Sequence, residues 1–132
     1  MTAEELVREA WSRWNTGERT ADPELFTGDV EIHSALTKTA WRGMAGVEAW
    51  AREIDDQFER WEVSIEEIAP ATGDRLAISG WIKARGRGSG VDLDQPASWI
   101  VELREGKIAV IRNFIGHDAA REAAAEAERG PG

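Results

Sequence analysis

Two carboxylates and one imidazole, Asp94, Asp118 and His33, are the residues here whose types could do chemistry. A carboxylate held in apolar surroundings has its pKa raised by desolvation, which suits a general acid or base near neutral pH. Asp94 is the best placed for that role, in the run VDLDQPASW. Strand alternation sets Gln95, Trp99, Val101 and Leu103 on one face and Asp92 and Asp94 on the other, unless the strand bulges near Pro96. The two aspartates also read as solvated acids of a hairpin. Asp118 stands where a last helix would start, beside His117, and either residue would serve there as an exposed cap. His33 has the one side chain type that titrates unperturbed near neutrality. In DVEIHS it alternates with Glu31, opposite Val30 and Ile32, which makes it a rim or loop-anchoring residue unless the strand bulges. Two histidines far apart and no cysteine make a poor metal-ligand set, so neither a metal nor a cofactor is expected.

A second group of residues suits binding. The chain has seven tryptophans and no tyrosine. An aromatic wall with a polar tip can therefore offer only an indole N–H donor. Trp11, Trp14, Trp41, Trp50 and Trp99 could line such a wall, with Gln95 to orient a ligand. Arg112 and Asn113 are neighbours in a strand, so only one of them enters a cavity from regular backbone. If Val110 and Phe114 face in, so does Arg112; if Ile111 and Ile115 face in, the pocket residue is Asn113.

Elements must position these residues. Thr2 with Glu5 is a capping-box pattern, and Leu6, Val7, Ala10, Trp11 and Trp14 follow at helical spacing until Asn15, Thr16 and Gly17. Asp22 before Pro23 predicts a short helix through Phe26, ending by Gly28. Asp29 to Ser34 reads as a half-buried strand. From Met44, the residues Val47, Trp50, Ala51, Ile54 and Phe58 form the stripe of a long helix, opposite Glu48, Arg52, Asp55 and Glu59. Strands follow at Trp61 to Ile68, Arg75 to Ala84, Val91 to Leu103 and Lys107 to Ile115. Their short turns imply an antiparallel meander. Gly80 and Pro96 mark bends or bulges. The fold class is α+β: a curved antiparallel sheet covered by three N-terminal helices. Residues 1–118 form one domain, and 119–132 an alanine-rich C-terminal helix or tail expected to lie across the open end. Gly86, Gly88 and Gly90 link two strands and do not open a helix, so their spacing marks a hairpin and no dinucleotide site.

Composition narrows the function. At 132 residues with 42% hydrophobic and 31% charged side chains, one self-sufficient core is expected. A net charge of -9 and a pI near 4.7 argue against nucleic acid, which needs a basic stripe. Lys83, Arg85 and Arg87 among glycines read as a solvated turn. No run approaches the length of a membrane span. The acidic start and the lack of cysteine make a cytoplasmic setting the expectation.

Four stretches carry a family resemblance: AWSRWNTG in the first helix, DVEIHSAL on the first strand, WRGMAGVEAW entering the long helix, and GSGVDLDQPASWIVELREGKI across the last hairpin. Through them the chain, from about Glu4 to Ala123, resembles the SnoaL-like branch of the superfamily that includes nuclear transport factor 2 and ketosteroid isomerase. The resemblance implies a cone-shaped α+β barrel with an internal cavity for a small hydrophobic molecule. It also implies a homodimer through the outer face of the sheet. Polyketide cyclases, isomerases, epoxide hydrolases, dehydratases and plain binding modules share this fold, which cannot choose among them. An isomerase oxyanion hole built with tyrosine cannot be reproduced here. A cyclase needs little beyond one cavity aspartate. The functions carried forward are an acid/base enzyme using Asp94 or Asp118, a noncatalytic binding module, and a structural dimer with a filled cone.

Overall fold

The Thr2 hydroxyl accepts from the Glu5 backbone N–H at 3.1 Å, and this cap opens helix α1 (Ala3–Asn15) in the computed structural model, which describes residues 2–17, 22–34, 39–71 and 73–128. Leu6, Val7, Ala10 and Trp11 form its buried stripe. At its end Asn15 accepts from Val63 N–H at 2.8 Å and donates to Val63 O at 2.7 Å. That pair ties the helix to a sheet edge through both backbone groups of one residue.

Asp22 does initiate helical backbone, but only for one turn. Its carbonyl accepts from Leu25 and Phe26, and its carboxylate accepts from Glu24 N–H at 2.8 Å. Strand β1 (Phe26–Ser34) begins at once. The apolar pair Leu25 and Phe26 is buried, 3% and 8% exposed, and the strand ladder outcompetes a further turn. The segment β2 (Ala40–Arg42), unforeseen in the sequence, pairs with β1 and leads into helix α2 (Gly43–Gln57). Gly43 takes φ +74 at that junction.

Strands β3 (Phe58–Pro70), β4 (Arg75–Gly86), β5 (Asp92–Arg104) and β6 (Lys107–Ile115) form the expected meander. The six strands run in the order β2-β1-β6-β5-β4-β3. All pairs are antiparallel except β1 with β6, so the curved, unclosed sheet is mixed. At Gly80 a methyl group would lie 1.8 Å from the Ser64 carbonyl oxygen. The facing strand bulges there, between Ile65 and Glu67. Pro96, by contrast, sits in unbroken register opposite Trp81.

Helices α1 and α2 cover the concave face, where the main core packs around Val7, Val30, Ile32, Val47, Val101 and Ile108. Helix α3 (Ala119–Glu128) covers part of the opposite face. The three helices are thus N-terminal, central and C-terminal. Helix α3 does not lie across the open end of the cone: Ala120 and Ala124 pack on Ile100, and Ala120 N–H donates to Ser98 Oγ at 2.9 Å. A helix whose apolar residues are all alanines fits a flat strand face more closely than a wide opening. Residues 129–132 of the expected tail lie outside the described residues. None of the described helices is long and apolar enough to cross a membrane.

Candidate functional site

A cavity opens between the two long helices and the concave face, in two parts that meet at Trp50, Trp61 and Asn113. The inner chamber is small, about 50 Å³, and its walls are almost wholly apolar. Helix α1 supplies Trp11 and Trp14, because residues three apart share a helical face. Helix α2 supplies Val47 and Trp50 in the same way. From the sheet come Ile32, Ile82, Trp99 and Ile111. The outer chamber is about 250 Å³ and more polar, with Ser34, Glu53, Gln57 and Gln95 among Trp41, Phe58 and Leu93.

Aromatic packing sets the shape. Trp14 stacks on Trp50 with ring centroids 4.8 Å apart, Trp11 meets Trp99 edge to face at 5.7 Å, and Phe58 leans on Trp61 at 4.9 Å. The buried Asn113 amide sits where the chambers meet. Turned to satisfy its neighbours, its oxygen accepts from Trp99 Nε1 at 3.1 Å and from Phe114 N–H at 3.2 Å. Two other indole donors, Nε1 of Trp11 and of Trp41, belong to residues that line the inner and the outer chamber, and both atoms are buried with no hydrogen-bond partner.

Strand β6 settles the choice between its neighbouring polar residues. Ile111 and Asn113 face the cavity, because Ile32 and Ser34 on β1 pair with them in register from the same face. Arg112 and Phe114 therefore point to the other side, where they border a cleft under α3 with Ile100 and Ala123. Neither lines the cavity. Trp14, Trp41, Trp50, Gln95, Trp99 and Asn113 all do.

The three expected acid/base residues are not brought together. Asp94 is exposed, in register with Lys83; no bulge turns it inward. Asp118 is exposed at the start of α3, its carbonyl accepting from Glu122 N–H. His33 is half-buried, its Nε2 3.4 Å from Glu31 Oε1, and it registers with Arg112 on the face away from the cavity. Among the described residues, Glu53 is the one carboxylate in the cavity walls. Gln57 Nε2 donates to its Oε1 at 3.4 Å. Sequence reasoning passed over this pair. Trp50, Glu53 and Gln57 follow an i, i+3, i+7 pattern that puts all three on one face of α2, a signal hidden by the larger apolar stripe beside it. No group of three or more histidine, aspartate or glutamate side chains among the described residues could hold a metal ion.

Comparison with known proteins places this architecture. The sequence model of the SnoaL-like domain matches residues 7–111. No curated protein matches the sequence. Among solved structures, a protein with a ketosteroid isomerase-like fold from Catenulispora acidiphila DSM 44928, in complex with trimethylamine, superposes with a TM-score of 0.71 at 17% identity, covering 94% of this chain and 95% of that one. TerC co-crystallised with polyporic acid gives 0.72 at 15% identity over 92% and 96%. A protein assigned as a SnoaL-like polyketide cyclase from Jannaschia sp. CCS1 gives 0.68 at 19% over 92% of each chain. At these identities the likeness is one of fold. With the domain match spanning most of its length, the chain belongs to the SnoaL-like domain family.

Proposed function

We propose that this protein binds a small, largely apolar molecule in the two-part cavity, its apolar portion in the inner chamber and its polar end among Ser34, Glu53, Gln57 and Gln95. The observation that carries this reading is the gradient along one cavity, from a tryptophan-lined interior to a polar mouth. Binding sites for small molecules characteristically combine apolar walls with a few placed polar groups. Two proteins of the same fold, one in complex with trimethylamine and one co-crystallised with polyporic acid, are consistent with a small organic ligand for this fold.

Catalysis is the second reading, favoured by one observation: Glu53 stands on the wall of the outer chamber. From there a carboxylate could exchange a proton with a bound carbonyl compound, the acid/base chemistry of a cyclase or isomerase. Asp94, Asp118 and His33 could act only on a molecule bound outside the cavity.

Thermal melting against polyketide-like aromatics, steroids, terpenoid epoxides and fatty acids tests the binding reading. A ligand at about 100 times its Kd stabilises by roughly 2.7 kcal/mol, enough to raise Tm by several degrees. Ala10→Leu, which fills the inner chamber, should abolish that shift. A ligand whose shift survives Ala10→Leu binds elsewhere, and no shift across the panel would favour a filled cone. For any ligand that is turned over, loss of turnover in Glu53→Gln with retained binding supports the catalytic reading, and unchanged turnover rejects it.

A further inference from the structure

Charge and aromatic content single out the outer chamber. Trp41, Trp50, Phe58 and Trp61 line it together with Glu53. Among the described residues, no lysine, arginine or histidine lines either chamber, so the Glu53 charge is unbalanced by the walls. The carboxylate is half-buried, and the side-chain hydrogen bond it receives comes from the neutral Gln57 amide at 3.4 Å. A ligand that fills the cavity strips further water from it. A neutral head group leaves that loss uncompensated, and an anion adds a like charge at short range. A cation restores the balance, and aromatic rings attract it as well through the negative faces of their π systems. Size places such a head group: the outer chamber is about 250 Å³, the inner about 50 Å³.

On the reading of the cavity given above, we infer that the ligand is an organic cation: an apolar body carrying a methylated amine, whose ammonium group sits in the outer chamber beside Glu53 and among those four aromatic side chains. Methylation suits this surround, because it gives the charge an apolar surface, and quaternary ammonium groups are what aromatic cages recognise. Glu53 is then a specificity-determining residue that selects by charge among molecules sharing one apolar body. Carboxylates such as fatty acids are rejected.

The test is a calorimetric titration of the wild-type protein with hexyltrimethylammonium, hexan-1-ol and hexanoate, one chain with three head groups. The cation should bind about tenfold more tightly than the alcohol, and hexanoate should not bind. The N-methyl proton signal of the bound cation should move upfield in NMR spectra, as protons held over aromatic rings do. Glu53→Gln should weaken the cation about fivefold or more. Glu48→Gln removes the same charge from an exposed position of α2 outside the cavity walls and should leave that affinity unchanged. Alcohol or hexanoate binding as tightly as the cation, an unmoved N-methyl signal, no loss in Glu53→Gln or an equal loss in Glu48→Gln would overturn the inference while leaving the cavity a working site. Binding of none of the three would overturn the cavity reading itself, and the inference with it. If Glu53→Gln does not fold, the wild-type series and the N-methyl signal decide.

Discussion

Trp99 donates its indole N–H to the amide oxygen of Asn113 at 3.1 Å, across neighbouring strands and at the point where the inner chamber meets the outer. The same oxygen takes the Phe114 backbone N–H. Asn113 is thus both the polar landmark of the cavity and the group that keeps two buried donors matched.

Asn113→Leu keeps the volume and removes the acceptor. A buried donor left unmatched costs about 1–3 kcal/mol, so a loss of roughly 2–6 kcal/mol is expected, since two donors are affected. Urea unfolding should show a lower midpoint with an unchanged slope. A midpoint equal to wild type would mean that the amide does not serve Trp99.

Gly80→Ala should be among the most damaging single-methyl additions. The added Cβ would lie 1.8 Å from the Ser64 carbonyl oxygen, in backbone that cannot swing away as a side chain tip can. A loss of about 3 kcal/mol or more is expected, read as a fall in Tm or as failure to fold. Gly28→Ala, with nothing within 4 Å of the added methyl, is the control and should leave Tm close to wild type.

Truncation after His117 removes α3 and uncovers Ile100 and Ser98, which are 8% and 0% exposed in the full chain. The helix is short and alanine-rich, so its hold on the sheet rests on the Ala120 to Ser98 hydrogen bond, the packing on Ile100, and an Arg121–Glu67 ion pair of 3.1 Å. Size-exclusion chromatography should show the truncated protein self-associating more than the full chain, through the uncovered face. Identical elution of the two would mean that α3 guards no association surface.

Much of this was legible in the sequence where periodicity was strong. The α1 and α2 stripes, the four long strands and the Gly80 irregularity all follow from patterns a few residues long. Alternation also put His33 with Glu31 and Asp94 away from Trp99, as the structure does. What escaped was set by pairing at a distance. The three-residue β2 is too short to show a pattern and exists because β1 offers it an edge. Arg112 and Asn113 could not be told apart until β1 fixed the register of β6. The place of α3 depends on Ser98 and Ile100, some 20 residues earlier, and nothing within the helix names that face. Glu53 drew no attention in the sequence because the facing walls of its chamber come from β1, β2, β3, β5 and β6, which nothing within α2 announces.

The Asp22 carboxylate gives the fold an acid-sensitive point. Its pKa is lowered, first by the backbone N–H of Glu24 and then by the Arg13 guanidinium of α1, with which it pairs. A carboxylate whose pKa is lower in the folded chain binds fewer protons there than in the unfolded chain. Its stabilising effect is therefore complete above the unfolded value, near about 3.9, and is lost as pH falls through the folded value. Asp22→Asn keeps an oxygen for Glu24 but drops the charge that holds Arg13. The variant should melt below wild type at neutral pH, and the gap should close as the pH falls below about 4. Paired melting curves down to about pH 2.5 would check this; a gap independent of pH would assign the effect of the substitution to packing, with the Asp22 charge contributing nothing.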